Sequence, residues 1–131
     1  MTKQEQIQYW IDSAERDWGA CRSMFERGHS DYGLFFAYVA LEKLLRALWV
    51  KGHSRAIPLR ILPLHRLAKE THLEFPKETM NYFRTLNRLA DEILYPDYKR
   101  SFHQKYTSEF AEENLKRIQE IAVGLKQKLP S

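Results

Sequence analysis

The stretch YGLFFAYVALEKLLRALWVKG, residues 32–52, constrains the fold more than any other part of the chain. It is rich in Leu and Ala and free of Pro, so it reads as a helix from about Tyr32 to Lys51. Gly52 is placed to end it. The helix is apolar nearly all the way round, whereas a surface helix carries one apolar stripe. It must therefore lie at the centre of a bundle, or present a second face to a partner subunit.

The remaining segments supply helices to surround it. Ile7, Ile11, Ala14, Trp18, Cys21 and Phe25 recur at steps of 4, 3, 4, 3 and 4, one face of a helix from about Gln4 to Arg27. Gly28 is its stop, and Ser30 or Asp31 is available to cap the next helix. Residues 52–63 hold Pro58, Pro63 and Gly52 and form the longest connection, of a length that is often functional. A short helix follows from Pro63 or Leu64 to Thr71. Met80, Phe83, Leu86, Ala90 and Ile93 line a helix from Lys77 to Leu94, which Pro76 introduces and Tyr95-Pro96 ends. Ala111, Leu115, Ile118, Ala122, Leu125 and Leu129 line a last helix from Ser108 to Leu129, with Thr107 or Ser108 as its cap. The expected fold is all-α: an antiparallel up-and-down bundle of four main helices plus one short helix, a single domain over residues 1–131.

Composition removes several function classes. Cys21 is the only cysteine, so an internal disulfide and a cysteine-based zinc site are excluded; on an apolar stripe it reads as an inert buried thiol. The five histidines form no i, i+4 pair, and no glycine-rich phosphate loop occurs. No metal and no cofactor are expected. No apolar run reaches the ~18 residues of a membrane span, and the first residues, MTKQEQIQYW, lack a signal peptide's layout. A cytoplasmic protein without a membrane partner is expected.

Charge is unevenly spread. Between Lys43 and Lys69 there is no acidic residue, and the segment carries +7 while the rest of the chain carries −3. Lys43, Arg46, Lys51, Arg55, Arg60, His65 and Arg66 in this block, with Lys99 beyond it, are the candidate nucleotide- or phosphate-binding residues. The alternative is a solvated basic surface, with His65 in a capping or packing role. The segment YKRSFHQKY, residues 98–106, interleaves cations and aromatics in a way that suits single-stranded RNA, or forms an ordinary loop. Tyr95, Tyr98, Phe102 and Tyr106 either stack on bases or close the end of the core. Trp10, Trp18 and Trp49 read as core or dimer-interface anchors. Glu42 reads as a structural polar residue, its partner expected on one of the last two helices.

The central helix resembles the signature helix of HEPN domains: an aromatic-rich start, then Glu42, Lys43, Leu45, Arg46, Ala47, Leu48 and Gly52. Leu64-His65-Arg66-Leu67 resembles the family's His-x-Leu element, Tyr95-Pro96-Asp97 its Tyr-Pro-Asp element, and Trp10 with Asp17-Trp18 and Ala20 its first helix. The resemblance implies a helical bundle that forms a homodimer and binds nucleotide or RNA. It also implies a minimal nucleotidyltransferase as partner, in a toxin–antitoxin-like pair.

Some HEPN proteins are metal-independent endoribonucleases whose motif is an Arg and a His with four to six residues between them. The Arg holds phosphate and the His moves the proton. Here Leu94 stands where the Arg before Tyr-Pro-Asp would be, and the nearest pair, Arg100 and His103, has only two residues between. The spacing recurs at Arg22–His29, Arg60–His65 and Arg66–His72, none at the family's position. The sequence therefore favours a non-catalytic binding module. The alternatives are an endoribonuclease using Arg100 and His103, and a purely structural dimerisation bundle.

Overall fold

A computed structural model of the chain describes residues 1–55, 62–95 and 106–130. These residues form five helices: α1 Lys3–Glu26, α2 Ser30–Lys51, α3 Leu64–Glu70, α4 Lys77–Leu94 and α5 Ser108–Gln127. The expected all-α bundle is what the chain adopts, and no strand occurs among the described residues. Among the described residues no helix is long and apolar enough to cross a membrane.

The apolar helix α2 is the centre, packing against α1, α3, α4 and α5, with its broadest contact along α1. Leu41, Leu44, Leu45, Ala47 and Trp49 on it are wholly buried. Phe83 of α4, Leu64 and Leu67 of α3, and Ile118 of α5 complete the same core. Each such Leu, Ile or Phe side chain contributes about 1.5–3 kcal/mol by leaving water. Cys21 lies in this core, 1% exposed, and burial pushes its thiol up to about 11. It stays protonated and unreactive at neutral pH.

Local chemistry sets the helix ends. Thr2 and Glu5 form a reciprocal capping box at α1, the Glu5 amide donating to Thr2 Oγ1 at 3.1 Å and the Thr2 amide to Glu5 Oε1 at 3.0 Å. Of the two caps expected for α5, Thr107 serves, accepting from the Phe110 amide at 3.1 Å. The α1–α2 reversal differs from expectation. Neither Ser30 nor Asp31 caps α2; His29 holds that position, without a side-chain hydrogen bond. The turn leaves no room for a separate cap. Gly28, at φ +81°, and His29 close α1 by donating their amides to Phe25 and Met24. The His29 carbonyl already accepts the Gly33 amide at 2.9 Å.

At Gly33 α2 comes close to α1. A Cβ there would lie 2.4 Å from the Phe25 ring and 3.2 Å from the Cys21 carbonyl oxygen. Gly124 in α5 has nothing within 4 Å of the same added atom. Helix propensity favours Ala over Gly by about 1 kcal/mol at either site. Overpacking of about 1–3 kcal/mol opposes it only at Gly33. Gly33→Ala is therefore expected to lower stability by up to about 2 kcal/mol and Gly124→Ala to raise it by about 0.5–1 kcal/mol, measured by urea unfolding.

Candidate phosphate-binding groove

The seven residues of α3 are too few to form a helix alone. Leu64, Leu67 and Ala68 bury one face of it against the bundle. The helical period then places His65, Arg66 and Lys69 on the opposite face. Pro63 at its start offers no side-chain cap, and the cap comes instead from α4. Asn87 Oδ1 accepts the Leu64 amide at 3.1 Å and the Tyr38 hydroxyl of α2 at 3.4 Å. One amide side chain thus ties three helices.

The same amide defines the state of His65. With its oxygen committed to two donors, Asn87 turns its Nδ2 group to His65 Nδ1, 3.2 Å away. Nδ1 must then accept, so the imidazole is neutral with its proton on Nε2. Burial, the Arg84 charge and the Arg66 charge, in that order, hold the His65 pKa below its ordinary value. The hydrogen-bond pattern and the electrostatics agree.

Between α3 and α4 lies a groove of about 530 Å³. His65, Arg66, Lys69, Glu70 and His72 line it from α3 and the following turn, Met80 and Arg84 from α4. Three cations face one carboxylate. Glu70 Oε2 lies 3.7 Å from Arg66 Nε while Glu70 Oε1 accepts the Trp49 indole N–H at 3.3 Å. The Arg66 side chain is 61% exposed, so that ion pair offsets little of its charge. Exposed guanidinium and ammonium groups converging on one concavity suit a phosphate or phosphodiester.

Of the candidate phosphate-binding residues, the structure brings His65 and Arg66 to this groove. Four others have roles in the fold. Lys43 pairs with Asp17 of α1 at 2.7 Å. Arg46, 5% exposed, donates from Nε to Glu42 Oε1 at 3.0 Å and lies over the Trp10 ring. Lys51 donates to the Lys128 carbonyl, and Arg55 lies over the Trp49 ring at 5.4 Å. Arg60, Lys99, Arg100 and His103 lie outside the described residues, as do Tyr98 and Phe102. Glu42 corrects an expectation: its partner Arg46 is one turn along its own helix, not on α4 or α5. Residues i and i+4 share a face, and a buried guanidinium takes the nearest carboxylate.

Sequence reading missed Arg84, whose helix KETMNYFRTLNRLADEIL mixes both charge signs. It passed over His72, which adopts φ +64° just past the end of α3. Arg66 and His72, one of the pairs with five residues between, both line the groove. Asn87 carried no sequence signal. Of the aromatic candidates, Tyr95 is exposed, while the Tyr106 hydroxyl donates to the Leu89 carbonyl and Glu92. Burial, with Glu92 close by, drives the Tyr106 pKa upward.

A model of the HEPN domain family matches residues 7–127. No curated protein and no solved structure matches the chain.

Two outcomes test the Asn87 arrangement. Asn87→Ala leaves the first α3 amide without its acceptor and is expected to cost about 1–2 kcal/mol in urea unfolding. A histidine with a depressed folded pKa binds its proton more readily when unfolded. Stability is therefore intact above the unfolded value near 6.5 and declines as pH falls from there toward the folded value. His65→Gln is expected to flatten that decline when unfolding is compared between pH 7.5 and pH 5.

Proposed function

The chain belongs to the HEPN domain family, and from that we propose that it is a non-catalytic nucleotide- or RNA-binding module holding its ligand by the phosphates in the α3–α4 groove. The observation that carries this reading is the convergence of Arg66, Lys69 and Arg84 on one concavity, with the His65 ring at its edge. Family membership supports a nucleotide- or RNA-related role in general, and the groove supplies the chemistry for one. Guanidinium groups donate paired hydrogen bonds to phosphate oxygens, and Lys69 adds a point charge. His65, with Nδ1 engaged by Asn87, offers its Nε2 hydrogen as a further donor.

Phosphate contact alone is indifferent to sequence and sensitive to salt. Three cations neutralising three phosphates of a single strand give a slope of log affinity against log salt of about −2, so binding weakens about twentyfold between about 50 and 200 mM salt. The same reading includes a homodimer and a minimal nucleotidyltransferase partner in a toxin–antitoxin-like pair, on family membership alone. Sedimentation of the purified protein and co-purification with such a partner test those two points.

The groove is tested by fluorescence anisotropy with a labelled ten-nucleotide single-stranded RNA in EDTA. Arg66→Ala and Lys69→Ala are each expected to weaken binding severalfold and to reduce the salt slope by about 0.7. Lys126→Ala, at the α5–α1 ion pair with Glu15, serves as the control for net charge. The RNA is expected to be recovered uncut. Equal losses in all three variants would place the ligand elsewhere.

A further inference from the structure

On the other side of α4 lies a cleft of different chemistry, about 600 Å³ between α4 and α5. Its apolar surface comes from Leu89, 4% exposed, and the rings of Tyr82 and half-buried Phe110. Asn81 and Asn114 add two carboxamides. The Tyr82 hydroxyl donates to Asn114 Oδ1 at 2.7 Å, and Asn114 Nδ2 donates to the Phe110 carbonyl at 2.9 Å. That pair of bonds fixes the Asn114 amide and leaves one of its N–H groups unused. Arg117 lies over Tyr82, its Cζ 3.9 Å from the ring centroid, while Glu78 is 3.5 Å from its Nη2. Burial pushes the Tyr82 hydroxyl up to about 12, so it remains a donor at neutral pH.

Apolar floor, carboxamide rim and stacked guanidinium suit a planar heteroaromatic ring with hydrogen-bonding edges. Lys77 also lines the cleft and Arg117 meets Glu78, so the character of the cleft is set by its apolar and carboxamide surface more than by charge. The groove on the far side of α4 has the opposite character, and Arg84 joins the two. It lines the groove and donates from Nη1 to Asn81 Oδ1 of the cleft at 3.2 Å. The two concavities are separated by the α4 helix, about 10 Å across.

We propose that the α4–α5 cleft is a nucleobase subsite, and that the ligand is a single-stranded nucleic acid crossing α4 with phosphates in the groove and an unpaired base in the cleft. The proposal rests on the phosphate-binding reading of the groove and adds what that reading lacks, a contact with the base. A duplex keeps its base faces stacked and cannot fill such a site, whereas unpaired bases stack on aromatic and guanidinium planes.

The test compares a ten-nucleotide single-stranded RNA, an abasic ribose-phosphate oligomer of equal length, a duplex of the same sequence and a mononucleotide, all by anisotropy or competition. Wild type is expected to prefer the single strand over the abasic oligomer about tenfold. Two neutral substitutions, Asn114→Ala at the rim and Phe110→Leu on the floor, should each shrink that preference to about twofold or less. They should leave abasic binding and the salt slope unchanged, since no phosphate contact is lost. Arg66→Ala with Lys69→Ala should weaken both oligomers alike and keep their ratio. A wild-type preference near unity, a preference that survives both cleft substitutions, or a duplex or mononucleotide binding as tightly as the single strand would overturn the base subsite. With the groove variants still defective, the phosphate reading would stand alone. If wild type binds neither oligomer, both readings fall together.

Discussion

Burial of α2 on every side dictates where charge can be used in this protein. Packed against four others, α2 leaves only Tyr32 and Lys51 exposed, the rest being buried or half-buried. Its cations must find partners inside the bundle or at its margins. Arg46 does so against Glu42 and Trp10, Lys43 against Asp17 of α1. These contacts set the rotation of α2 against α1, which also requires a glycine at position 33. The continuous basic block of the sequence is thus divided by the fold. Its α2 half ties the bundle together, and its α3 half meets solvent.

The division explains why some of the molecule is legible in the sequence and some is not. Helix extents follow from periodicity, because an apolar stripe at steps of three and four is itself what buries the helix; α4 runs from Lys77 to Leu94 as its residues indicate. Caps depend on one or two residues in competition, so Thr107 prevailed over Ser108 while Ser30 and Asp31 lost to the geometry of a short turn. Charge is harder to read than hydrophobicity. Arg84 and Arg66 meet only through the packing of α3 on α4, eighteen positions apart and with no periodic relation. Asn87 is harder still: a single polar residue in a helix has no pattern, and its three hydrogen-bonding partners come from α2 and α3.

Family resemblance and physical reading contribute differently. The motif around Glu42 and Lys43 marks the fold, and the structure gives those residues structural partners. The His-x-Leu element marks α3, and there the resemblance and the surface chemistry coincide at His65. Between them the resemblance identifies the helices, while the geometry identifies the faces that remain for a ligand.

That remaining face carries an internal conflict. Packing α3 on α4 brings Arg66, Lys69 and Arg84 to one groove, and like charges brought together oppose docking. Leu64 and Leu67, both wholly buried, and the Asn87 cap offset that repulsion. A neutral His65 avoids adding to it, and the Asn87 amide enforces that neutrality by presenting a donor. An anion in the groove would remove the repulsion at its source, so binding and α3 docking must stabilise each other by the same free energy. Such neighbouring cations are what an anion would neutralise, and this separates the groove from Lys43, Arg46 and Lys126, whose carboxylate partners the fold already supplies.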